Sequence, residues 1–114
     1  MMDDAVHAYV EAIAPARRPL FDRMHRLILE ARPDADVVMA YKMPTYRSGG
    51  YSLHVAVWKH GLSLYGWDAG RIGGFAARHP DLVGAKGTIR IPTGIAGDVT
   101  DDDLRELARG ALGG

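Results

Sequence analysis

Two segments, 51–59 and 62–67, constrain the fold most, because aliphatic side chains alternate with other side chains along both of them. A period of two is typical of β-strands that bury one face. Only His60 and Gly61 separate the segments, which predicts a two-residue hairpin loop. The sequence therefore predicts an antiparallel hairpin, and the aliphatic side chains of its buried face are Leu53, Val55, Val57, Leu62 and Leu64.

The position of the loop also sets the predicted register of the hairpin. A loop at 60–61 pairs Val57 with Leu64. A slip by one residue would mix the aliphatic face with the other face, so the pattern favours this register. The second face then carries His54, Ala56, Trp58, Ser63, Tyr65 and Trp67, with Trp67 opposite His54 and Tyr65 opposite Ala56.

Three segments have the spacing of amphipathic helices. The clearest begins near Arg17 or Arg18, so that Pro19 falls in the first helical turn, which tolerates proline, and it ends at Pro33. A shorter helix is expected between Asp4 and Pro15, and Thr100 predicts the N-cap of a last helix. The apolar stripe of the clearest helix consists of Leu20, Phe21, Met24, Leu27, Ile28 and Ala31.

The remaining segments complete the predicted fold. Strands are expected over 37–43 and 87–92, where β-branched and large side chains accumulate. Glycines predict a turn at 45–50 and a connection at 68–84 that contains one short helix. Helices, then strands, then a closing helix favour the α+β class. We therefore expect one domain, 1–114, that forms a two-layer α/β sandwich with a mainly antiparallel sheet and helices on one face.

The charge balance and the absence of cysteine exclude several classes of function. Lys and Arg number 14, as do Asp and Glu, so the formal net charge is +0 and no basic field favours nucleic acid or an anionic membrane. No apolar run reaches the ~18 residues of a membrane span. A chain without cysteine has no disulfide, no thiolate catalysis and no cysteine-ligated metal. We expect a cytoplasmic protein that binds neither nucleic acid nor membranes.

The aromatic residues of the hairpin are the strongest functional feature. If helices cover only the aliphatic face, Trp58, Tyr65 and Trp67 lie on an exposed surface, and such residues are enriched at binding sites. Alternatively, the connection 68–84 folds over these rings and buries them as a second small core. The predicted binding residues are His54, Trp58, Tyr65 and Trp67, with Lys42 and Arg90 as cations for an anionic ligand.

Carboxylates give weaker indications of a metal site. Asp34 and Asp36 follow the clearest helix, where they could hold a hard cation weakly or bond their own backbone in a turn. The three aspartates at 101–103 fall in a first helical turn, where the helix dipole accounts for them. No two histidines have the i, i+4 spacing of a helical metal site. The metal candidates are therefore Asp34 and Asp36.

Motifs of catalysis are not found in the sequence. It has no G-x-S-x-G nucleophile elbow and no G-x-x-x-x-G-K-[ST] phosphate loop. The sequence therefore predicts no catalytic residues, and a small enzyme with an uncatalogued site is the third choice of function.

Three segments carry a resemblance to a known family: 41–46 (Tyr-Lys-Met-Pro-Thr-Tyr), 58–65 (Trp-Lys-His-Gly-Leu-Ser-Leu-Tyr) and 86–90 (Lys-Gly-Thr-Ile-Arg). They are similar to segments of the YdhG-like bacterial domain family of unknown function, and the likeness spans about residues 3–112. The resemblance implies a frataxin-like sandwich with α–β–α order. One branch of that family has been proposed to chaperone iron, so the resemblance also implies iron as a cargo.

These observations give two main hypotheses of function. The first is a non-catalytic binding or carrier domain that uses the aromatic sheet face for a small molecule or a protein partner, which includes a second copy of the chain. The alternative is a frataxin-like intracellular iron chaperone that uses acidic side chains such as Asp34 and Asp36.

Overall fold

The computed structural model describes residues 4–59, 61–66, 73–84 and 88–112. The helices are α1 (Asp4–Glu11), α2 (Arg18–Ala31), α3 (Gly73–Arg78) and α4 (Asp101–Ala111). The strands are β1 (Asp36–Ala40), β2 (Met43–Ser48), β3 (Tyr51–Trp58), β4 (Gly61–Tyr65) and β5 (Ile89–Pro92). Short 3₁₀ helices cover Pro80–Leu82 and Thr93–Asp98. Within the described residues the strands form a five-stranded antiparallel sheet in the order β1-β2-β3-β4-β5.

The core lies between the helices and one face of the sheet. α2 packs against β4 and α4 packs against β3, and the aliphatic side chains of both strands point toward them. We call this the inner face of the sheet and the opposite one the outer face. The α+β class and the antiparallel sheet are confirmed. The predicted stripe of α2 is buried at Leu20, Phe21, Met24, Leu27 and Ile28, and α4 buries Leu104, Leu107, Ala108 and Ala111.

A hairpin between β1 and β2 replaces the single strand and turn that the sequence predicts over 37–50. Tyr41 and Lys42 link the paired residues Ala40 and Met43, and their φ angles are +53° and +65°. Two positive φ values are what a type I′ turn requires, and asparagine and glycine usually supply them. The sequence shows neither at this turn, so the prediction of a continuous strand was wrong.

The register of the β3–β4 hairpin differs from the predicted one by two residues. Val57 pairs with Leu62 rather than Leu64, and the last pair before the turn is Trp58 with Gly61. Gly61 belongs to β4 because β5 approaches it closely: a Cβ on Gly61 would lie 2.1 Å from the carbonyl oxygen of Ile91. A shift of two residues preserves the faces, because strand side chains alternate with a period of two.

The N-terminus of α4 begins at the predicted N-cap. The Thr100 hydroxyl oxygen accepts a hydrogen bond of 3.1 Å from the backbone N–H of Asp103, and Thr100 has extended backbone angles, φ −74° and ψ 159°. The Thr100 side chain therefore satisfies one of the N–H groups that a helix leaves without an internal partner.

We expect Thr100→Ala to lower the free energy of unfolding by about 0.5–2 kcal/mol, because the first turn of α4 loses this hydrogen bond. Asp102→Asn is the matched control: Asp102 forms an exposed ion pair of 2.9 Å with Arg105, and such pairs contribute about 0–1 kcal/mol. Urea unfolding of both variants measures the difference. Equal stability of Thr100→Ala and the wild-type chain would contradict the capping role.

No helix in the described ranges is both long enough and apolar enough to cross a membrane.

Candidate functional site

A groove lies on the outer face, across β3, β4 and β5. Its floor is one cross-strand row, in which Ala56 pairs with Ser63 and Ser63 pairs with Arg90. Trp58 follows Ala56 by two residues and Tyr65 follows Ser63 by two, so their side chains lie on opposite sides of this row. The volume between these five side chains is about 230 Å³. We call this space the aromatic groove.

The dimensions of the aromatic groove follow from strand geometry. Trp58 and Tyr65 belong to cross-strand rows that lie four residues apart, which is roughly 13 Å along the strands at about 3.3 Å per residue. Small side chains at Ala56 and Ser63 leave a space between the rings that no other side chain of the described residues lines. Ser63 is only 3% exposed, whereas Trp58 and Tyr65 are half-buried. The arrangement is two aromatic walls above a floor of small side chains.

His54 continues the outer face beside the aromatic groove. It pairs across the strands with Tyr65, and its Nδ1 shares a hydrogen bond of 2.7 Å with the Thr45 hydroxyl. Burial, and then the positive charge of Arg47, lower the pKa of His54 below its usual value. His54 is therefore a neutral, hydrogen-bonding side chain near neutral pH.

The β1–β2 turn brings an aromatic ring that sequence reasoning did not identify. Tyr41 is 81% exposed, and its ring meets that of His54 edge-on, with centroids 5.4 Å apart. A bulky residue at positive φ is strained, at a cost of about 1–3 kcal/mol. Only the unusual turn places Tyr41 at this position, and the sequence carries no asparagine or glycine that would have indicated it.

The structure places the predicted binding residues in different surroundings. Trp58, Tyr65 and Arg90 line the same groove, and His54 lies next to it. Lys42 is exposed in the β1–β2 turn, and Trp67 lies outside the described residues. The predicted cross-strand partners were wrong: Tyr65, not Trp67, lies opposite His54, and Ser63, not Tyr65, lies opposite Ala56, because Trp58 pairs with Gly61.

The two acidic candidates for a metal, Asp34 and Asp36, have different surroundings. Asp34 accepts a hydrogen bond of 2.8 Å from the Ser48 hydroxyl, and Arg32 Nε lies 3.7 Å from its carboxylate. The Ser48 hydrogen bond is the main cause of the lowered pKa of Asp34. Asp36 belongs to β1, where it pairs with Arg47 on the neighbouring strand. Asp34 therefore has a hydroxyl donor and a cation beside it.

The aspartates at the start of α4 hold helices together. Across the described ranges, no group of three or more His, Cys, Asp or Glu side chains could hold a metal ion. The carboxylates instead join α4 to α2 and α3, as the short contacts show. These contacts are Arg23 Nε to Asp101 at 2.7 Å, Arg78 Nε to Asp103 at 2.8 Å and His79 Nε2 to Asp103 at 2.7 Å.

A buried polar pair joins α2 to β2 outside the aromatic groove. His25 Nδ1 and the Tyr46 hydroxyl share a hydrogen bond of 2.7 Å, and Tyr46 is fully buried. Burial raises the pKa of Tyr46 far above its usual value and lowers that of His25, although Asp22 opposes the lowering. Both groups are therefore neutral near pH 7, and their hydrogen bond satisfies a hydroxyl in the core.

Unfolding should become easier as the pH falls below about 6.5, the pKa of an unfolded histidine. The pKa values of His25 and His54 are lower in the folded chain. Between the folded and unfolded values the unfolded chain binds more protons, so the free energy of unfolding decreases as the pH falls. The slope is at most about 1.4 kcal/mol per pH unit for each histidine. Urea unfolding at about pH 7.5 and about pH 5.5 measures it.

Two substitutions test whether these histidines cause the pH dependence. His25→Gln and His54→Gln should each reduce the slope, because each removes an imidazole whose pKa is lowered by burial in the folded chain. A free energy of unfolding that stays constant over the same range would contradict the assignment.

Comparisons of the chain with protein-family models, with curated proteins and with solved structures find no match.

Proposed function

We propose that this chain is a non-catalytic binding or carrier domain, and that its ligand is a small molecule with a flat apolar ring held in the aromatic groove. The observation that carries the proposal is the pair of rings, Trp58 and Tyr65, on either side of a floor of small side chains. Aromatic rings attract other aromatic rings in stacked or edge-on contacts, beyond the apolar area that is buried.

The size of the groove sets the size of the ligand. Its volume of about 230 Å³ is below the roughly 300–1,000 Å³ of pockets for drug-sized molecules. A ligand with about ten non-hydrogen atoms, at about 0.5 kcal/mol each, would bind with about −5 kcal/mol. That corresponds to a Kd on the order of 0.1–1 mM. Such an affinity suits a ligand that is bound and released rapidly.

The proposal is tested by adding 2-naphthoate to the protein and following backbone amide signals by NMR. We expect shifts in β3 and β4 around Ala56, Trp58 and Ser63. Binding by Trp58→Ala should be about two- to ten-fold weaker, because stacking contributes about 0.5–1.5 kcal/mol. Tyr51→Ala is the matched control, since Tyr51 is an exposed aromatic residue at the other end of β3.

A thermal melt of Trp58→Ala distinguishes a binding residue from a core residue. We expect the variant to stay folded, whereas loss of a core tryptophan typically costs about 3–5 kcal/mol. A variant that unfolds at room temperature, or that binds 2-naphthoate as tightly as the wild-type chain, would overturn the proposal.

The iron-chaperone role remains an alternative proposal, together with the YdhG-like likeness and the frataxin-like order from which it comes. Its candidate ligands are Asp34 and Asp36. The hydrogen bond from Ser48 and the charge of Arg32 compete with a cation for Asp34, which makes this proposal the weaker one. Fe²⁺ added under anaerobic conditions should broaden the NMR signals of residues 34–36 if it is correct and leave them unchanged if it is wrong.

A further inference from the structure

We infer that the aromatic groove selects an anion, namely a flat aromatic ring that carries a carboxylate or a similar oxyanion. The inference rests on the proposed function, and it adds the charge of the ligand. It starts from Arg90, which lines the groove at the end of the row formed by Ala56 and Ser63.

Arg90 is exposed, and its side chain has no hydrogen bond or ion pair with another residue in the described ranges. Other arginines of the chain differ in this respect, because they contact carboxylates within 4 Å. Those arginines are Arg18, Arg23, Arg26, Arg32, Arg78 and Arg105. A guanidinium presents two parallel N–H groups to one carboxylate, and such charge-assisted hydrogen bonds are stronger than neutral ones. Within the described part of the chain, no carboxylate therefore competes with a ligand for the guanidinium donors of Arg90.

Ser63 supplies a second donor on the floor of the groove. Its side chain lies next to Arg90 in the cross-strand row, and its hydroxyl has no hydrogen bond within the described part of the chain. A hydroxyl on a residue that is only 3% exposed has limited access to water, so a ligand that accepts its hydrogen bond gains more than one on an open surface. An oxyanion seated against Arg90 can accept from both groups.

The charge on Arg90 opposes the binding of a cationic ligand. Two aromatic walls by themselves would also suit a quaternary ammonium ion, which binds to ring faces. No carboxylate lines the groove among the described residues. Asp36 belongs to β1, which is three strands from β4, or roughly 14 Å. Among the described residues that line the groove, Arg90 is therefore the charged one, and it attracts anions and repels cations.

The test compares three probes on the full chain by isothermal titration calorimetry near neutral pH: 2-naphthoate, 2-naphthalenemethanol and tetramethylammonium. The first two have the same ring system and differ in charge. We expect 2-naphthoate to bind about ten-fold more tightly than the alcohol, and tetramethylammonium to bind more weakly than either. Added salt should reduce the preference for 2-naphthoate, because it screens exposed charges.

Variants assign the preference to Arg90. Arg90→Gln should make the affinities for 2-naphthoate and 2-naphthalenemethanol equal without changing the affinity for the alcohol. Arg90→Lys should keep part of the preference, because the charge remains while the paired N–H donors are lost. Arg47→Gln is the matched control, since Arg47 is an exposed cation of the outer face on β2, and it should leave the ten-fold preference intact.

The outcomes separate this inference from the function on which it rests. Equal affinities for the acid and the alcohol in the wild-type chain would overturn the inference and leave the aromatic groove as a neutral binding site. Tighter binding of tetramethylammonium would also overturn it. Binding of none of the three probes would overturn the proposed function, and a preference that survives in Arg90→Gln would show that another group selects the anion.

Discussion

Leu27→Ala should lower the free energy of unfolding by about 2–5 kcal/mol. Leu27 lies in the middle of α2 and is 0% exposed, so the smaller side chain leaves a cavity that the surrounding core only partly fills. The free energy of unfolding of a domain of this size is about 5–15 kcal/mol, so the loss is a large fraction of the total. Urea unfolding followed by circular dichroism measures it.

Leu29→Ala is the matched control for this prediction. It makes the same chemical change on the same helix, at a side chain that is only partly buried. Any effect of alanine on helix propensity is common to both variants, so their difference reports burial alone. We expect Leu29→Ala to cost clearly less than Leu27→Ala. Equal losses would mean that the stripe of α2 is wrongly placed.

Gly61→Ala should be about as damaging, with a loss of about 2–6 kcal/mol in the free energy of unfolding. Gly61 has a φ of +156°, and a Cβ there would lie 2.1 Å from the carbonyl oxygen of Ile91 and 2.8 Å from Cα of Pro92. Both neighbours belong to the backbone of β5, so the strand itself must move. Backbone strain of about 1–3 kcal/mol adds to an overpacking cost of about 1–3 kcal/mol.

Gly94→Ala is the matched control, because it makes the same substitution at a glycine that no other atom approaches closely. A Cβ on Gly94 meets no atom within 4 Å, so we expect this variant to keep the wild-type stability to within about 1 kcal/mol. In Gly61→Ala, the backbone amides that pair β4 with β5 should be the first to lose their protection from hydrogen exchange, because the new methyl group separates these two strands. Retention of that protection would contradict the close approach of β5.

The faces of the sheet could be predicted from the sequence, whereas the register could not. Leu53, Val55 and Leu62 follow a period of two, and the hydrophobic effect assigns them to the inner face in any register that differs by an even number of residues. The choice between those registers depends on Gly61. A glycine beside a histidine looks like a turn residue, but here its missing side chain makes room for another strand.

The β1–β2 hairpin was not predictable for a similar reason. Local turn chemistry favours residues that adopt positive φ at little cost, and Tyr41 and Lys42 are not such residues. Tertiary contacts stabilise the turn instead: β2 buries Tyr46, whose hydroxyl reaches His25 on α2. A contact between residues that are far apart in sequence leaves no local pattern to detect.

The part of the candidate site that depends on the alternation of side chains between the two faces of a strand could be predicted from the sequence. Successive side chains of a strand point to opposite faces, which places Trp58, Tyr65 and Arg90 on the same face of the sheet. The structure brings these three side chains to one groove. The importance of Ser63 depends instead on its cross-strand neighbours Ala56 and Arg90. Those neighbours are set by the register, so the floor of the groove could not be read from the sequence.

The order of the strands has a consequence for the rate of folding. Each strand pairs with the strand next to it in sequence, so from β1 to β4 the chain closes only short loops, at little cost in entropy. The contact between α2 and α4, by contrast, includes an ion pair between Arg23 and Asp101, which are 78 residues apart. Hairpins form within microseconds, whereas contacts over long separations slow folding. We therefore expect the docking of α4 on α2, rather than assembly of the sheet, to contain the slowest step in folding.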